Sequence, residues 1–212
     1  MTGMFRGPGP RTRRLAASLG RRARTSAARR AALDAASQGS LFRPRAVVFT
    51  DTADFTTRTA RDGILHFLMV FDRLVRAAGP AIRRWGGDLV KVEGDSLLLR
   101  FPDAVAACRG VEAVESVLRR VNPGKPPGER LRFSYGIGFG EVLDIEGDLF
   151  GLEVNLASKL GEDLARPGEA LLTPSAAAAL DPLTLRRVLP YKVVPFGRAA
   201  LPVHRLKLRG RR

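Results

Sequence analysis

Cysteine is almost missing from this chain of 212 residues: Cys108 stands alone. A single thiol excludes an internal disulfide and any cysteine-rich zinc site. Histidine is nearly as scarce. His66 and His204 lie far apart with no partner cysteines, so neither a metal cluster nor a Ser/His/Asp arrangement can be argued. Aromatics are few (Phe 11, Tyr 2, Trp 1), which gives little material for a base-stacking surface. No apolar run approaches the ~18 residues of a membrane span, and no apolar stretch near the start reads as a secretory signal. The Gly-x4-Gly-Lys-Ser/Thr loop is also absent, which excludes a P-loop ATPase. These absences point to chemistry in the cytoplasm.

Acidic residues are in the minority, 21 against 36 lysines and arginines, for a net charge of +15. The excess is uneven. Residues 1–40 hold nine arginines and one acid, Asp34, a net +8 that leaves +7 for the other 172 residues. This Arg-, Ala- and Ser-rich stretch offers no packable face and is expected to be a disordered basic arm. Its composition also suits a nucleic-acid contact, a weak contact with an anionic surface, a transit-like leader or an over-extended reading frame. Hydrophobic residues make up 45% of the chain, enough for one folded domain, expected over residues 41–208 with a short basic tail at 209–212.

The β-branched run RAVVFT (45–50) predicts a central strand ending at Asp51. Ile64, Leu65, Leu68, Phe71, Leu74 and Val75 recur at helical spacing, with Asp62 as the expected N-cap and Pro80 as a kink or break. LVKVEGDSLLLRF (89–101) reads as a hairpin with Asp95 at its tip. Residues 103–121 predict a second helix, and LRFSYGIGFGEVLDIEG predicts two strands broken by glycines. A third helix over 151–165 places Leu152, Leu156, Leu160 and Leu164 on one face, and two further strands close the chain. The predicted class is α+β: a ferredoxin-like, palm-type β-α-β-β-α-β core sheet with helices packed on one face and C-terminal strand additions.

Asp51 ends one strand and Asp95 tips the next hairpin. If first and second strands are neighbours, both carboxylates reach one sheet edge, where oxygen ligands suit Mg²⁺. Taken singly, each aspartate reads as a cap or turn residue. Asn155 and Lys159, at i and i+4, form a polar pair beside the leucine face of the third helix. GGDL (86–89) lacks the second acid of a GGDEF-type turn and reads as a plain helix-to-strand break.

Together, FTDTADFT, WGGDLVKVEGDSLLLRF and GIGFGEVLDIEGDLFGLEVNLASKL resemble, in order and spacing, the class III nucleotidyl cyclase catalytic domain over about residues 45–208. The resemblance implies that Asp51 and Asp95 hold two Mg²⁺ or Mn²⁺ ions. It implies that Lys91 and Asp148 read adenine, that Asn155 orients ribose and reacting phosphate, and that Lys159 stabilises the transition state. The family usually has arginine at the Lys159 position, so a bidentate fork is replaced by a point charge. Phe196 stands where many members have a triphosphate-binding lysine, with Arg198 close enough to substitute. The implied function is an adenylate cyclase converting ATP to 3′,5′-cyclic AMP and pyrophosphate. Its site would lie between the subunits of a homodimer, with Asp95 serving one site and Lys91 the other. Glu93, between them on the lysine's face, has no role in this reading. The departures at Lys159 and Phe196 leave an alternative, a catalytically weak nucleotide-binding regulator. A guanylate cyclase or a nucleic-acid-binding protein ranks lower, and no specific nucleic-acid partner is expected.

Overall fold

The computed structural model describes residues 10–23, 41–197 and 199–208. Strand β1 (Phe42–Thr52) is the apolar run expected near Asp51, with Ala46, Val47 and Val48 fully buried. It is followed by helices α2 (Phe55–Asp62) and α3 (Ile64–Arg84), then by strands β2 (Asp88–Glu93) and β3 (Ser96–Phe101). Helix α4 (Ala104–Val121) leads to β4 (Phe133–Ile145), β5 (Asp148–Phe150) and α5 (Leu152–Ser158). β6 (Ala170–Leu172), α6 (Pro174–Ala178), α7 (Pro182–Leu185), β7 (Val188–Phe196) and β8 (Ala199–Leu206) complete the domain. The sheet order is β2-β3-β1-β4-β6-β8-β7, with β5 paired to β4. β4 and β6 run parallel while the other pairs are antiparallel, so the sheet is mixed, as expected of the fold class.

β1 has β3 and β4 as its neighbours, not β2. The two carboxylates therefore approach through the return strand of the hairpin, a correction to the expected adjacency of first and second strands. The long helices α3 and α4 pack on one sheet face, against Ala46, Val48, Leu97, Leu99 and Phe101. An aromatic chain runs through this core: Phe55–Phe67 at 4.7 Å, Phe67–Phe71 at 5.5 Å, Phe71–Phe133 at 6.3 Å and Phe133–Tyr135 at 6.0 Å. Contacts of this kind add about 0.5–1.5 kcal/mol each beyond their buried area.

Three helical expectations change. Helix α3 begins after Gly63, so Asp62 does not cap it but ends α2 and pairs with Arg61 at 2.7 Å. The inward face of α3 is Phe67, Val70, Phe71, Leu74, Ala78 and Ile82, whereas Ile64, Leu65 and Leu68 are exposed. The helix runs through Pro80 to Arg84. Pro80 lies on the exposed side, while Ala78 and Ile82 remain buried on either side of it. Packing thus offsets the missing backbone donor.

The GIGFG stretch is one continuous strand, not two broken by glycines. A Cβ at Gly136 would lie 1.9 Å from the Ala157 carbonyl oxygen, and one at Gly161 would lie 2.8 Å from the Phe49 carbonyl oxygen. These glycines let α5 and its extension approach the opposite sheet face backbone to backbone. There Val154 and Ala157 join Val47, Phe49 and Leu98, while Leu152, expected inside, is exposed. From Lys159 to Leu164 the helix widens into π turns, and the Ala165 amide donates to the Leu160 carbonyl. Such widened turns are frequent at functional sites.

Part of the arm expected to be disordered is helical: Pro10–Ala23 forms α1. Its first amides are capped from a distance, the Glu146 carboxylate accepting from the Arg11 and Thr12 amides at 2.8 and 3.0 Å. The rest of the arm and residues 209–212 lie outside the described residues.

Candidate active site

The acidic corner is built by strand register. Asp51 pairs with Ser134 near the end of β1, one step beyond Thr50, which faces Leu97 of β3. Glu93 pairs with Ser96, so Gly94 and Asp95 form the two-residue tip between β2 and β3. The Thr52 hydroxyl donates to the Asp95 carbonyl at 2.7 Å and ties that tip to β1. Burial, then the charges of Asp95 and Glu162, push the Asp51 carboxyl up to about 6. Burial also raises Asp95, with backbone hydrogen bonds opposing and Glu162 adding to the rise. Glu162 sits on the widened turn after α5, and nothing in its local sequence marks it as a neighbour of Asp51.

Clustered carboxylates whose charge is disfavoured by burial and by one another fit a divalent ion with oxygen ligands. Among the described residues no group of three or more His, Cys, Asp or Glu forms a metal cage. An ion held by Asp51 and Asp95 would therefore draw its remaining ligands from water and substrate phosphate, as Mg²⁺ commonly does.

The basic corner depends on a β-bulge. β2 pairs Leu89 with Leu99 but Lys91 with Leu98, leaving Val90 as the extra residue. Without that bulge Lys91 would face Leu97 and lie on the α3–α4 side of the sheet. The one-residue shift turns it to the face of Leu98, Phe49 and α5. The β4–β5 hairpin folds over the same face, where Val142 and Leu149 join that cluster. Asp148 thereby meets a lysine 57 positions away, with Lys91 Nζ donating to Asp148 Oδ2 at 3.1 Å. Asp148 Oδ1 accepts from the Leu149 amide at 2.8 Å, which fixes the carboxylate plane. Lys91 Nζ is also 3.1 Å from Glu93 Oε2. Burial works against the ammonium charge, but the hydrogen bonds to Asp148 and Glu93 outweigh it and raise the Lys91 pKa.

Asn155 is exposed on α5, and one turn later Lys159 Nζ pairs with Asp163 at 3.1 Å. Lys159 is thus half committed within its own helix. Arg198 falls outside the described residues, and Phe196 ends β7. No hydrogen bond or ion pair among the described residues joins Asp51 or Asp95 to Lys91 or Asp148. Among the described residues the acidic and basic corners are therefore separate groups, and a third charged network, Arg100 with Asp144 and Asp88, lies on the same sheet face.

In sequence and in fold, the domain is similar to class III nucleotidyl cyclase catalytic domains. No model of a protein family matches the chain. A curated adenylate cyclase of Streptomyces coelicolor is 32% identical over 133 residues, 63% of this chain and 33% of that protein. A putative adenylate cyclase 3 of Rhizobium meliloti is 26% identical over 123 residues, 58% of this chain and 21% of that protein. The matched part thus spans a fifth to a third of the length of these relatives. Among solved structures, an adenylate/guanylate cyclase/hydrolase from Silicibacter pomeroyi has a TM-score of 0.63 at 25% identity, covering 78% of this chain and 96% of that one. The catalytic core of a rhodopsin-guanylyl cyclase with converted specificity, bound to ATPαS, has a TM-score of 0.66 at 20% identity, covering 79% and 97%. At that identity the second likeness concerns the fold alone. No described helix is long and apolar enough to cross a membrane.

Proposed function

We propose that the domain is an adenylate cyclase that forms 3′,5′-cyclic AMP and pyrophosphate from ATP, in a site shared between two copies of the chain. The observation that carries this reading is the 3.1 Å contact of Lys91 with Asp148, a donor and an acceptor of the kind adenine's N1 and exocyclic amine require. Neither residue is adjacent to the other in sequence, and a bulge and a folded-over hairpin are needed to join them. Asp51 and Asp95 supply the carboxylates for two Mg²⁺ or Mn²⁺ ions, which would lower the pKa of the 3′-hydroxyl and offset phosphate charge. In the reaction the 3′-oxygen bonds to the α-phosphorus and the bond to the β-phosphate oxygen breaks. Pyrophosphate leaves with the bonding pair, and the hydroxyl proton passes to water. Asn155 from the helix of the lysine-bearing subunit orients the ribose, and Lys159 with Arg198 meets phosphate charge. Each copy then contributes its acidic corner to one site and its basic corner to the other.

The pairing of Lys159 with Asp163 favours a second reading, a weakly catalytic domain that binds ATP as a regulator. Incubating the full chain with ATP and Mn²⁺ and measuring cyclic AMP separates the two. Product formation supports the cyclase; ATP binding without product at any protein concentration supports the regulator. The basic arm supports nucleic-acid binding only if such binding is steeply salt-dependent, and that function would leave both corners unexplained.

A further inference from the structure

Glu93 has no task in base reading by Lys91 and Asp148 alone. Its side chain is 65% exposed, so its ion pair with Lys91 is screened by water and adds little to stability. Its placement is nevertheless specific. Glu93 lies two residues from Lys91 beyond the bulge, and its pairing with Ser96 puts it on the same sheet face. One carboxylate oxygen meets the ammonium from β2, as Asp148 meets it from β5, both at 3.1 Å.

The lysine is therefore a hydrogen-bond donor flanked by acceptors on two different strands. Asp148 has Oδ1 taken by the Leu149 amide and Oδ2 by Lys91. Glu93 reaches the lysine through Oε2 and is otherwise turned to solvent. The two purines differ along their pairing edges. Adenine offers an amine donor beside the N1 acceptor and needs an acceptor and a donor from the protein. Guanine offers the O6 acceptor beside two donors, N1–H and the 2-amine, and needs a donor followed by acceptors. Asp148 with Lys91 meets the first requirement. Lys91 with Glu93 meets the second, its carboxylate spanning both guanine donors as carboxylates span paired N–H groups elsewhere.

We propose that Glu93 is a specificity-determining residue that makes the base pocket purine-permissive, admitting GTP as a second substrate beside ATP. This rests on the cyclase reading above, and GTP undergoes the same bond changes to give cyclic GMP and pyrophosphate. A site without a guanine acceptor leaves polar groups unmatched and rejects the wrong base by about 10⁴-fold. With Glu93 present, GTP is expected to fall within about 100-fold of ATP in kcat/KM. Glutamine at this position presents one acceptor and one amide donor, and that donor opposes a guanine N–H.

The test compares the full chain with Glu93→Gln. The readouts are turnover of ATP and GTP with Mn²⁺, and binding of 3′-deoxy-ATP and 3′-deoxy-GTP, which lack the attacking hydroxyl. Expected is measurable GTP turnover in the unaltered chain and a fall of about tenfold or more in the GTP-to-ATP ratio of kcat/KM in the variant, mirrored in binding. ATP turnover with GTP rejected, or a ratio unchanged in Glu93→Gln, overturns the role of Glu93 and leaves the cyclase reading standing. Failure of either deoxynucleotide to bind, with no cyclic product, overturns both.

Discussion

The two charged corners of the sheet are stabilised in opposite ways. At the acidic corner, Asp51 and Asp95 face Glu162 and each other, and burial raises both carboxyls, Asp51 to about 6. At the basic corner, Lys91 is balanced by two carboxylates within 3.1 Å, and its pKa is raised by them. The first corner has unbalanced charge that a cation would relieve. The second is complete without a ligand, so a nucleotide base must exchange for contacts already made. Metal binding should therefore draw on electrostatics that the fold leaves unsatisfied, whereas base selection should rest on small differences between competing hydrogen bonds.

That contrast sets the expected sizes of effect. Removing charge from the acidic corner is predicted to be most damaging. Asp51→Asn or Asp95→Asn should lower cyclic AMP formation by about 10³-fold or more, since each removes a proposed ion ligand as well as local charge. Full activity in either variant would remove the metal assignment. At the basic corner, Asp148→Cys should shift the ATP-to-GTP ratio of kcat/KM toward GTP by about tenfold or more, since it removes the acceptor for the adenine amine and leaves Lys91 and Glu93 to meet guanine. An unchanged ratio would count against base reading there. The smallest effect is expected on α5, where Lys159→Arg should raise kcat about tenfold by restoring a planar fork for phosphate oxygens. A drop in kcat would show that Lys159 is better used as it stands, paired with Asp163.

Much of the fold was legible because it is local. Asp103 caps α4 as a turn aspartate should, its carboxylate accepting from the Ala106 amide at 2.8 Å, and the hairpin around Gly94–Asp95 follows from the valines and leucines that flank a Gly-Asp turn. What was not legible depends on distant partners. Pro80 is tolerated because Ala78 and Ile82 are buried around it. The glycines of β4 looked like breaks until the helix they admit was in place. Helix α1 is rich in good helix formers with proline at its first position, but its cap is Glu146, more than 130 residues away. Asp51, Asp95, Lys91, Asp148, Asn155 and Lys159, the residues of the proposed site, were all singled out from motifs, and of these the structure brings Lys91 to Asp148 and Asp95 to Asp51. The bulge at Val90 that turns Lys91 toward Asp148 has no signature in a run of valines and leucines. Glu93 was visible in sequence but idle, and Glu162 was hidden because widened helical turns bring it to Asp51.

The central claim is that the two corners act in different sites, each completed by the other subunit. Mixing two variants, each expected to be inactive alone, tests it directly: Asp51→Asn, which lacks a carboxylate of the acidic corner, and Asn155→Ala, which lacks the helix residue proposed to orient the ribose. In a shared-site dimer half of the mixed population is heterodimeric, and each heterodimer contains one intact site and one doubly damaged site. Cyclic AMP formation should then recover to roughly a quarter of that of the unaltered chain. No recovery, with subunit exchange verified by mass, would contradict the shared site and place both corners in the work of a single subunit.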